Sequence, residues 1–210
     1  ATTDRRDFID AVLAKGAACV IADDENIVPL DDERIIYLPQ VQKLLSPVAA
    51  AFYGYPSTQL KIFGVTGTNG KTSCVWLLTQ ALKALGVKVS GVGPLFGDQL
   101  TTPDPITLHK QLRKCVDVGV EYVCMEVSSH ALCQHRVDDV YFDISAFTNL
   151  SQDHLDYHRS MRDYFLAKQR LFELGAKTAA IINLDSDYGQ PMREVAKNNK
   201  QPIVSVTVDQ

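Results

Sequence analysis

The run Gly-Val-Thr-Gly-Thr-Asn-Gly-Lys-Thr-Ser, residues 64–73, constrains the fold of this chain more than any other stretch. It follows an apolar segment that begins at Ile62, and it precedes a helical pattern over 74–85. A strand that breaks into a glycine-rich turn and resumes as a helix at Gly-Lys-Thr forms a phosphate cradle. Gly67 and Gly70 permit the tight turn that brings backbone N–H groups up to phosphate oxygens. The helix N-terminus adds partial positive charge at the same place. Lys71 is placed to reach the β- and γ-phosphates, and Thr72 can offer a hydroxyl to Mg²⁺. ATP or GTP is the expected ligand. The common form of the motif carries a glycine five residues before Gly70, where this chain has Val65; the nearest glycine, Gly64, comes one residue too early. This departure marks a subclass of nucleotide-binding enzyme.

Around the cradle, apolar runs and helical patterns alternate. Strands are predicted over 61–66, 88–91, 122–126, 143–147, 179–183 and 203–206, and helices over 71–85, 106–118, 162–174 and 189–197. This order specifies an α/β fold, a mostly parallel sheet with helices on both faces. Ligands in such sheets bind beyond the carboxyl ends of the strands, which is where the polar motifs fall. Residues 1–57 read as the remainder of a smaller α/β domain: a helix over 8–15, strands over 17–22 and 35–38, a helix over 42–52, and a linker at 53–57. Residues 58–210 read as the larger domain.

With 46% hydrophobic residues, the 210-residue chain can bury a sizeable core. A net charge of -4 gives no electrostatic case for nucleic acid or an anionic membrane. No apolar run is long enough to span a bilayer, and residues 1–6 lack a signal-peptide core. Five cysteines without zinc-finger spacing read as free thiols in a reducing compartment, the cytoplasm.

Four further motifs lie at the predicted strand ends or on the helix that follows. A buried strand ends on Glu126, where cradle enzymes place an acid that holds Mg²⁺. Ser128, Ser129 and His130 follow it, either as functional groups or as helix caps. Asn149, Asp153, His154, Asp156 and His158 crowd the next strand end; His154 is the better metal candidate. Lys168 sits on a helix with an apolar face of Phe165, Leu171 and Phe172, where a lysine is ordinarily a solvated charge. Thr101 and Thr102, before Pro103-Asp104-Pro105, can bind an anionic sugar-phosphate or can be turn residues.

Together, Gly-Thr-Asn-Gly-Lys-Thr, Thr-Thr-Pro, Met-Glu-Val-Ser-Ser-His-Ala-Leu-Cys-Gln-His-Arg and Phe-Thr-Asn-Leu-Ser-Gln-Asp-His-Leu-Asp-Tyr-His resemble the Mur ligase family, ATP-dependent enzymes that join amino acids to a UDP-linked muramic acid. The resemblance runs from about residue 5 to the C-terminus. Within the family it points to the branch that adds a diamino acid to UDP-MurNAc-L-Ala-D-Glu through an acyl phosphate. It implies that Gly67, Thr68, Asn69, Gly70, Lys71, Thr72 and Ser73 hold ATP, and that Thr72, Glu126, His154 and Lys168 hold Mg²⁺. Thr101, Thr102, Ser128, Gln134 and Arg136 would hold the UDP-muramoyl substrate. Lys168 would be carbamylated (N6-carboxylysine), and Lys71, Lys168 and His154 would be catalytic.

The resemblance further implies a cytoplasmic monomer. Residues 1–57 would be the end of the UDP-binding domain and 58–210 all or part of the ATP-binding domain, with the amino-acid-binding domain missing, so that this chain alone would not complete the reaction. Leu100 stands where the family has asparagine, and residues 91–100 are short against it. Meso-diaminopimelate is preferred over lysine only because it is commoner. A folylpolyglutamate- or cyanophycin-type ligase, or a non-catalytic ATP-binding module, are the alternatives.

Overall fold

The computed structural model describes residues 8–23 and 32–208. The chain divides into two compact units, one up to Leu44 and one from Leu45 onward. The first carries helix α1 (Ile9–Ala14) and strands β1 (Val20–Ala22) and β2 (Ile35–Tyr37), paired in parallel with Val20 opposite Ile35. Strand β1 covers only the last three residues of the predicted 17–22, because its partner β2 is itself three residues long.

Helix α2 (Val41–Phe52) crosses the division, which therefore falls before the predicted linker at 53–57. The local cause is burial. Ser46, Ala49 and Ala50 are buried, and so is Ser57, in a 3-10 turn over Pro56–Gln59. The Ser57 hydroxyl donates to the Asp139 carbonyl at 3.3 Å.

The second unit is a six-stranded parallel sheet of β3 (Lys61–Thr66), β4 (Val89–Val92), β5 (Tyr122–Glu126), β6 (Phe142–Phe147), β7 (Ala176–Asn183) and β8 (Ile203–Val206), in spatial order β4-β5-β3-β6-β7-β8. Helices α3 (Lys71–Ala84), α4 (Pro105–Asp117), α5 (Ser129–Cys133), α6 (Met161–Glu173) and α7 (Gly189–Asn198) connect and cover it. The central strands alternate their burial partners with the period-two geometry of a strand. Ile62, Val123 and Met125 face a large core that includes Leu108 and Leu112 of α4, Leu132 of α5, Leu171 and Phe172 of α6, and Met192 of α7. Val65 and Cys124 face the opposite side, where α3 supplies Val75 and Leu78.

The expected fold class holds, with two differences from the predicted elements. Strand β7 begins three residues early, because Ala176 is opposite Phe142 in the register with β6. The short helix α5 was not predicted; Ser128 caps it by accepting from the Ala131 N–H at 3.2 Å.

Gly64 has no place in the cradle. It lies inside β3, opposite Met125 and Ser145, and a Cβ there would come within 2.6 Å of the Phe142 ring. The glycine makes room for that ring.

Strand β3 is central, with β4 and β5 laid to one side and β6 to β8 to the other. The reversal of direction at β3 opens a crevice beyond the strand ends, the ligand position of doubly wound sheets. The segments after β3, β5 and β6 all open into it.

On α4, His109 is fully buried; its Nε2 lies 3.4 Å from Ser46 Oγ, and its Nδ1 has no hydrogen-bond partner among the described residues. Burial pushes the imidazole pKa down to about 4. The unfolded chain therefore binds a proton below about pH 6.5 that the native state refuses until about pH 4. Stability from this site is complete above pH 6.5 and is lost as pH falls through that window, by on the order of 3 kcal/mol. Urea unfolding at pH 7.5 and 4.5 should show His109→Leu losing less stability on acidification than the unsubstituted chain.

Candidate active site

The cradle is built as a short extension of β3. Val65, at the position of the standard motif's first glycine, is still in the buried strand: it lies opposite Glu126 and Ala146, and its carbonyl accepts from the Val127 N–H at 2.8 Å. The turn starts at Gly67. Its φ is +152°, and a Cβ there would lie 1.9 Å from Thr148 Oγ1. Gly70, with φ +85°, leads into α3.

The segment after β6 fastens this loop. The Thr148 N–H donates to the Thr66 carbonyl at 3.0 Å, and the Thr68 N–H to the Asn149 carbonyl at 2.9 Å. Thr68 Oγ1 donates to the Ser151 carbonyl at 3.2 Å, accepts from the Ser151 N–H at 3.0 Å and lies 3.2 Å from the Tyr164 hydroxyl. The side chain of Thr68 is thus committed to holding the loop. Asn69 is bonded to Thr148 and Asn149, and Ser73 is exposed at the start of α3.

Two lysines meet at the floor of the site. Lys71 Nζ donates to the carbonyls of Gly67 at 2.9 Å and Thr68 at 3.0 Å. Lys168 Nζ, on α6, donates to the same Gly67 carbonyl at 2.8 Å and lies 4.3 Å from the centre of the Tyr164 ring. Lys168 is 1% exposed. Burial, followed by the repulsion of Lys71, pulls its pKa from the ordinary 10.5 down to about 7. Burial also lowers the Lys71 pKa, against the attraction of Glu126 and Asp153.

Beside them, Thr72 Oγ1 donates to Glu126 Oε2 at 2.8 Å. Glu126 is 1% exposed and its Oε1 is buried without a hydrogen-bond partner among the described residues. Burial raises its carboxyl pKa, opposed by the Thr72 hydroxyl and Lys71.

A polar cleft of about 220 Å³ opens above the lysines. Lys71, Lys168 and Tyr164 line it together with Thr101, Thr102, Ser128, Arg136 and His154. Thr102 is buried: its hydroxyl donates to the Glu126 carbonyl at 2.8 Å and accepts from the Ser128 N–H at 3.0 Å. Arg136 Nη1 donates to the Thr102 carbonyl at 2.8 Å. Gln134 does not line this cleft. Its Oε1 accepts from Arg136 Nε at 3.0 Å and its Nε2 donates to the Tyr157 hydroxyl at 3.2 Å, so it braces the arginine. The His154 side chain is 47% exposed and lies 3.4 Å from Asp153.

The residues of the cleft that were not singled out as lining it include His130 and Tyr164. His130, whose pKa is lowered by burial and by His154, lines the cleft with its ring 4.9 Å from His154. Tyr164 lies four residues before Lys168 on α6, a helical spacing that puts the two side chains together. His158 is buried, stacked on Tyr164 and 2.8 Å from Ser129 Oγ, and so supports the cleft from behind.

A second cleft, of about 360 Å³, is lined mainly by apolar groups: Val65, Cys74, Ala146, Ile181 and Val206, with Gly70, Asn149 and Asn183 among its borders. No motif announced it, because its walls come from four separate strands.

Gly67→Ala should combine an unfavourable backbone conformation with a collision on Thr148. We expect a loss of at least about 1 kcal/mol in stability, and loss of nucleotide binding, read by thermal melting and by calorimetric titration with Mg·ADP.

Comparison with known proteins agrees with this geometry. Residues 65–210 match the Mur ligase middle domain. A UDP-N-acetylmuramoyl-L-alanyl-D-glutamate--2,6-diaminopimelate ligase from Pseudomonas putida is 45% identical over 200 residues, covering 90% of this chain and 40% of that protein. A protein of the same description from Geobacter metallireducens is 41% identical over 225 residues, covering 97% and 42%. The chain thus spans about 40% of the length of these relatives. Among solved structures, one described as a UDP-N-acetylmuramoyl-L-alanyl-D-glutamate--2,6-diaminopimelate ligase superposes with a TM-score of 0.83 at 29% identity, over 98% of this chain and 43% of that one. A MurF ligase from Thermotoga maritima in complex with ADP shares the fold, with a TM-score of 0.64 at 19% identity over 100% and 47%. With more than half of its length matched to the middle-domain model, the chain belongs to the Mur ligase family.

Proposed function

We propose that this chain is the ATP-binding part of a ligase that joins a diamino acid to UDP-MurNAc-L-Ala-D-Glu in peptidoglycan precursor synthesis. The observation that carries this reading is the convergence of Lys71 and Lys168 on the Gly67 carbonyl, at the floor of a cleft that also presents Ser128, Arg136 and His154. The relatives' description supports 2,6-diaminopimelate over lysine, and the meso form is the one proposed.

ATP would lie with its phosphates on the cradle amides of residues 70–73, at the start of α3. The apolar cleft suits its base: it is lined by uncharged residues and bordered by Gly70. Lys71 would leave the Gly67 and Thr68 carbonyls for the β- and γ-phosphates. Thr101, Thr102, Ser128 and Arg136 would hold the muramoyl dipeptide, with Gln134 acting through Arg136.

The donor set fits Mg²⁺. Glu126 Oε1 is a buried carboxylate oxygen without a partner, next to the Thr72 hydroxyl. Mg²⁺ favours one or two hard oxygen ligands of this kind, completed by phosphate and water. Among the described residues no three acidic, histidine or cysteine side chains cluster as a metal site, which suits an ion that arrives with the nucleotide. His154 and Lys168 would supply a second position. When bound, Mg²⁺ offsets the negative charge that develops on the transferring phosphoryl group.

Lys168 suits carbamylation. An amine with a pKa near 7 is substantially neutral at pH 7, and only the neutral amine adds to CO₂, giving R–NH–COO⁻ and one proton. The product replaces a cation with an oxygen ligand. The D-glutamyl carboxylate would then attack the γ-phosphate, held in line by Lys71 and Arg136, and release ADP. Attack by the diamino acid's amine on the acyl phosphate would give the amide and inorganic phosphate.

No helix among the described residues is long and apolar enough to cross a membrane, and all five cysteines are free thiols. The proposed enzyme is a cytoplasmic monomer that uses neither nucleic acid nor membrane insertion. In the full-length protein, phosphate release from ATP should require UDP-MurNAc-L-Ala-D-Glu; release equally fast without it overturns the reading. Lys168→Ala should lower turnover by about 100-fold or more and remove the carbamate ¹³C resonance seen after equilibration with ¹³C-bicarbonate.

A further inference from the structure

The cradle carries a side-chain clamp that the motif does not predict. Asn69, in the turn itself, has both of its backbone polar groups held by the segment after β6. Its N–H donates to Asn149 Oδ1 at 3.0 Å. Its carbonyl accepts from Asn149 Nδ2 at 3.2 Å and from Thr148 Oγ1 at 2.7 Å. The Asn149 amide thus pairs with a peptide unit as one amide pairs with another, and Thr148 adds a third bond. The Thr148 hydroxyl fits only because residue 67 lacks a side chain.

We propose that Asn149, seconded by Thr148, is a positioning residue that acts through Asn69 to hold the cradle in its phosphate-binding conformation before nucleotide arrives. This rests on the reading of residues 67–73 as a nucleotide cradle. The loop needs such a brace. With Val65 still in strand, the turn spans only Gly67 to Gly70, and two of those four residues are glycines in conformations that other residues avoid. A loop of that composition has more conformations to lose on binding a ligand, and a ligand's affinity falls by the fraction of time the competent form is absent. Three hydrogen bonds from one neighbouring strand end remove that freedom in advance. Asn149 also borders the apolar cleft, so a direct contact with the base is the rival role.

The two roles separate by choice of ligand. In the full-length protein, Asn149→Ala should weaken inorganic tripolyphosphate and ATP by the same factor, about tenfold for bonds of this kind, measured by calorimetry without metal. Thr148→Val should weaken both ligands by a smaller common factor, and Thr148→Ser should behave as the unsubstituted protein. Amide hydrogen exchange at residues 67–70, without nucleotide, should accelerate in Asn149→Ala while exchange in β3 and β5 stays unchanged. Weaker ATP binding with tripolyphosphate unaffected makes Asn149 a base contact and overturns the proposal, as does unchanged cradle exchange. If the unsubstituted protein binds neither ligand, the nucleotide reading fails; the exchange experiment still tests the clamp. Should Asn149→Ala not fold, the Thr148 pair carries the same comparison.

Discussion

One backbone carbonyl, that of Gly67, receives two lysine side chains, from α3 and from α6, at 2.9 and 2.8 Å. Two ammonium groups drawn to one oxygen repel each other, and a buried site screens that repulsion poorly. Burial, more than that repulsion, draws the pKa of one of the amines down. Lys168, the more deeply buried of the two, has a pKa near 7, while Lys71 keeps the attraction of Glu126 and Asp153. The arrangement depends on β3 and β6 being neighbours, because only then does the segment after β6 fix Gly67 at that point. It depends equally on α6 being anchored by Leu171 and Phe172 in the main core, which sets the depth at which Lys168 enters. The depressed amine and the unpartnered Glu126 oxygen both reflect burial beside the polar cleft, Lys168 and Glu126 each being 1% exposed.

Much of the fold was legible because each strand carries its own signal. The run Val123-Cys124-Met125 is fully buried and ends on Glu126, and the sequence shows both features without help from any neighbour. Helix α6 was legible by period, and Lys168 by resemblance. Other features were illegible for a common reason: they are properties of pairs. Gly64 looked like a displaced cradle glycine, yet its cause is the Phe142 ring, far away in the chain. Helix α5, at five residues, is too short to show a period and depends on the Ser128 cap. The part of Thr68 in fastening the cradle shows only once Tyr164 and Ser151 are brought to it. The predicted linker at 53–57 carries turn residues as expected, but Ser57 is buried against the Val137–Val140 turn, so the chain divides earlier.

The proposed substrate residues form a supporting chain, each holding the next. Gln134 grips Arg136, Arg136 grips the Thr102 carbonyl, and Thr102 bridges the Glu126 carbonyl and the Ser128 N–H. Thr102 therefore joins the acid of the proposed metal site to the cap of α5. A shift in either Glu126 or Arg136 would be felt by the other through a single residue, Thr102, whose hydroxyl bonds the first and whose carbonyl bonds the second. Residue by residue, such groups read as independent ligands; in the fold they act as one rigid wall, which suits catalysis by positioning.

Gly70 borders the apolar cleft, and the next residue, Lys71, lines the polar one. A nucleoside triphosphate bound across this step can lie in only one direction. Its base has no charge and fits walls made by Val65, Ala146, Ile181 and Val206, whereas its phosphates need the amides and the ammonium that begin at residue 70. The terminal phosphate then points into the cleft bounded by Arg136, Ser128 and Lys168, where the proposed acceptor carboxylate would sit. The reverse orientation would bury phosphate against valine and isoleucine and leave Lys71 on its carbonyls. In the proposed reading, the orientation of the nucleotide would be set by the contrast between two adjoining clefts, with the cradle between them.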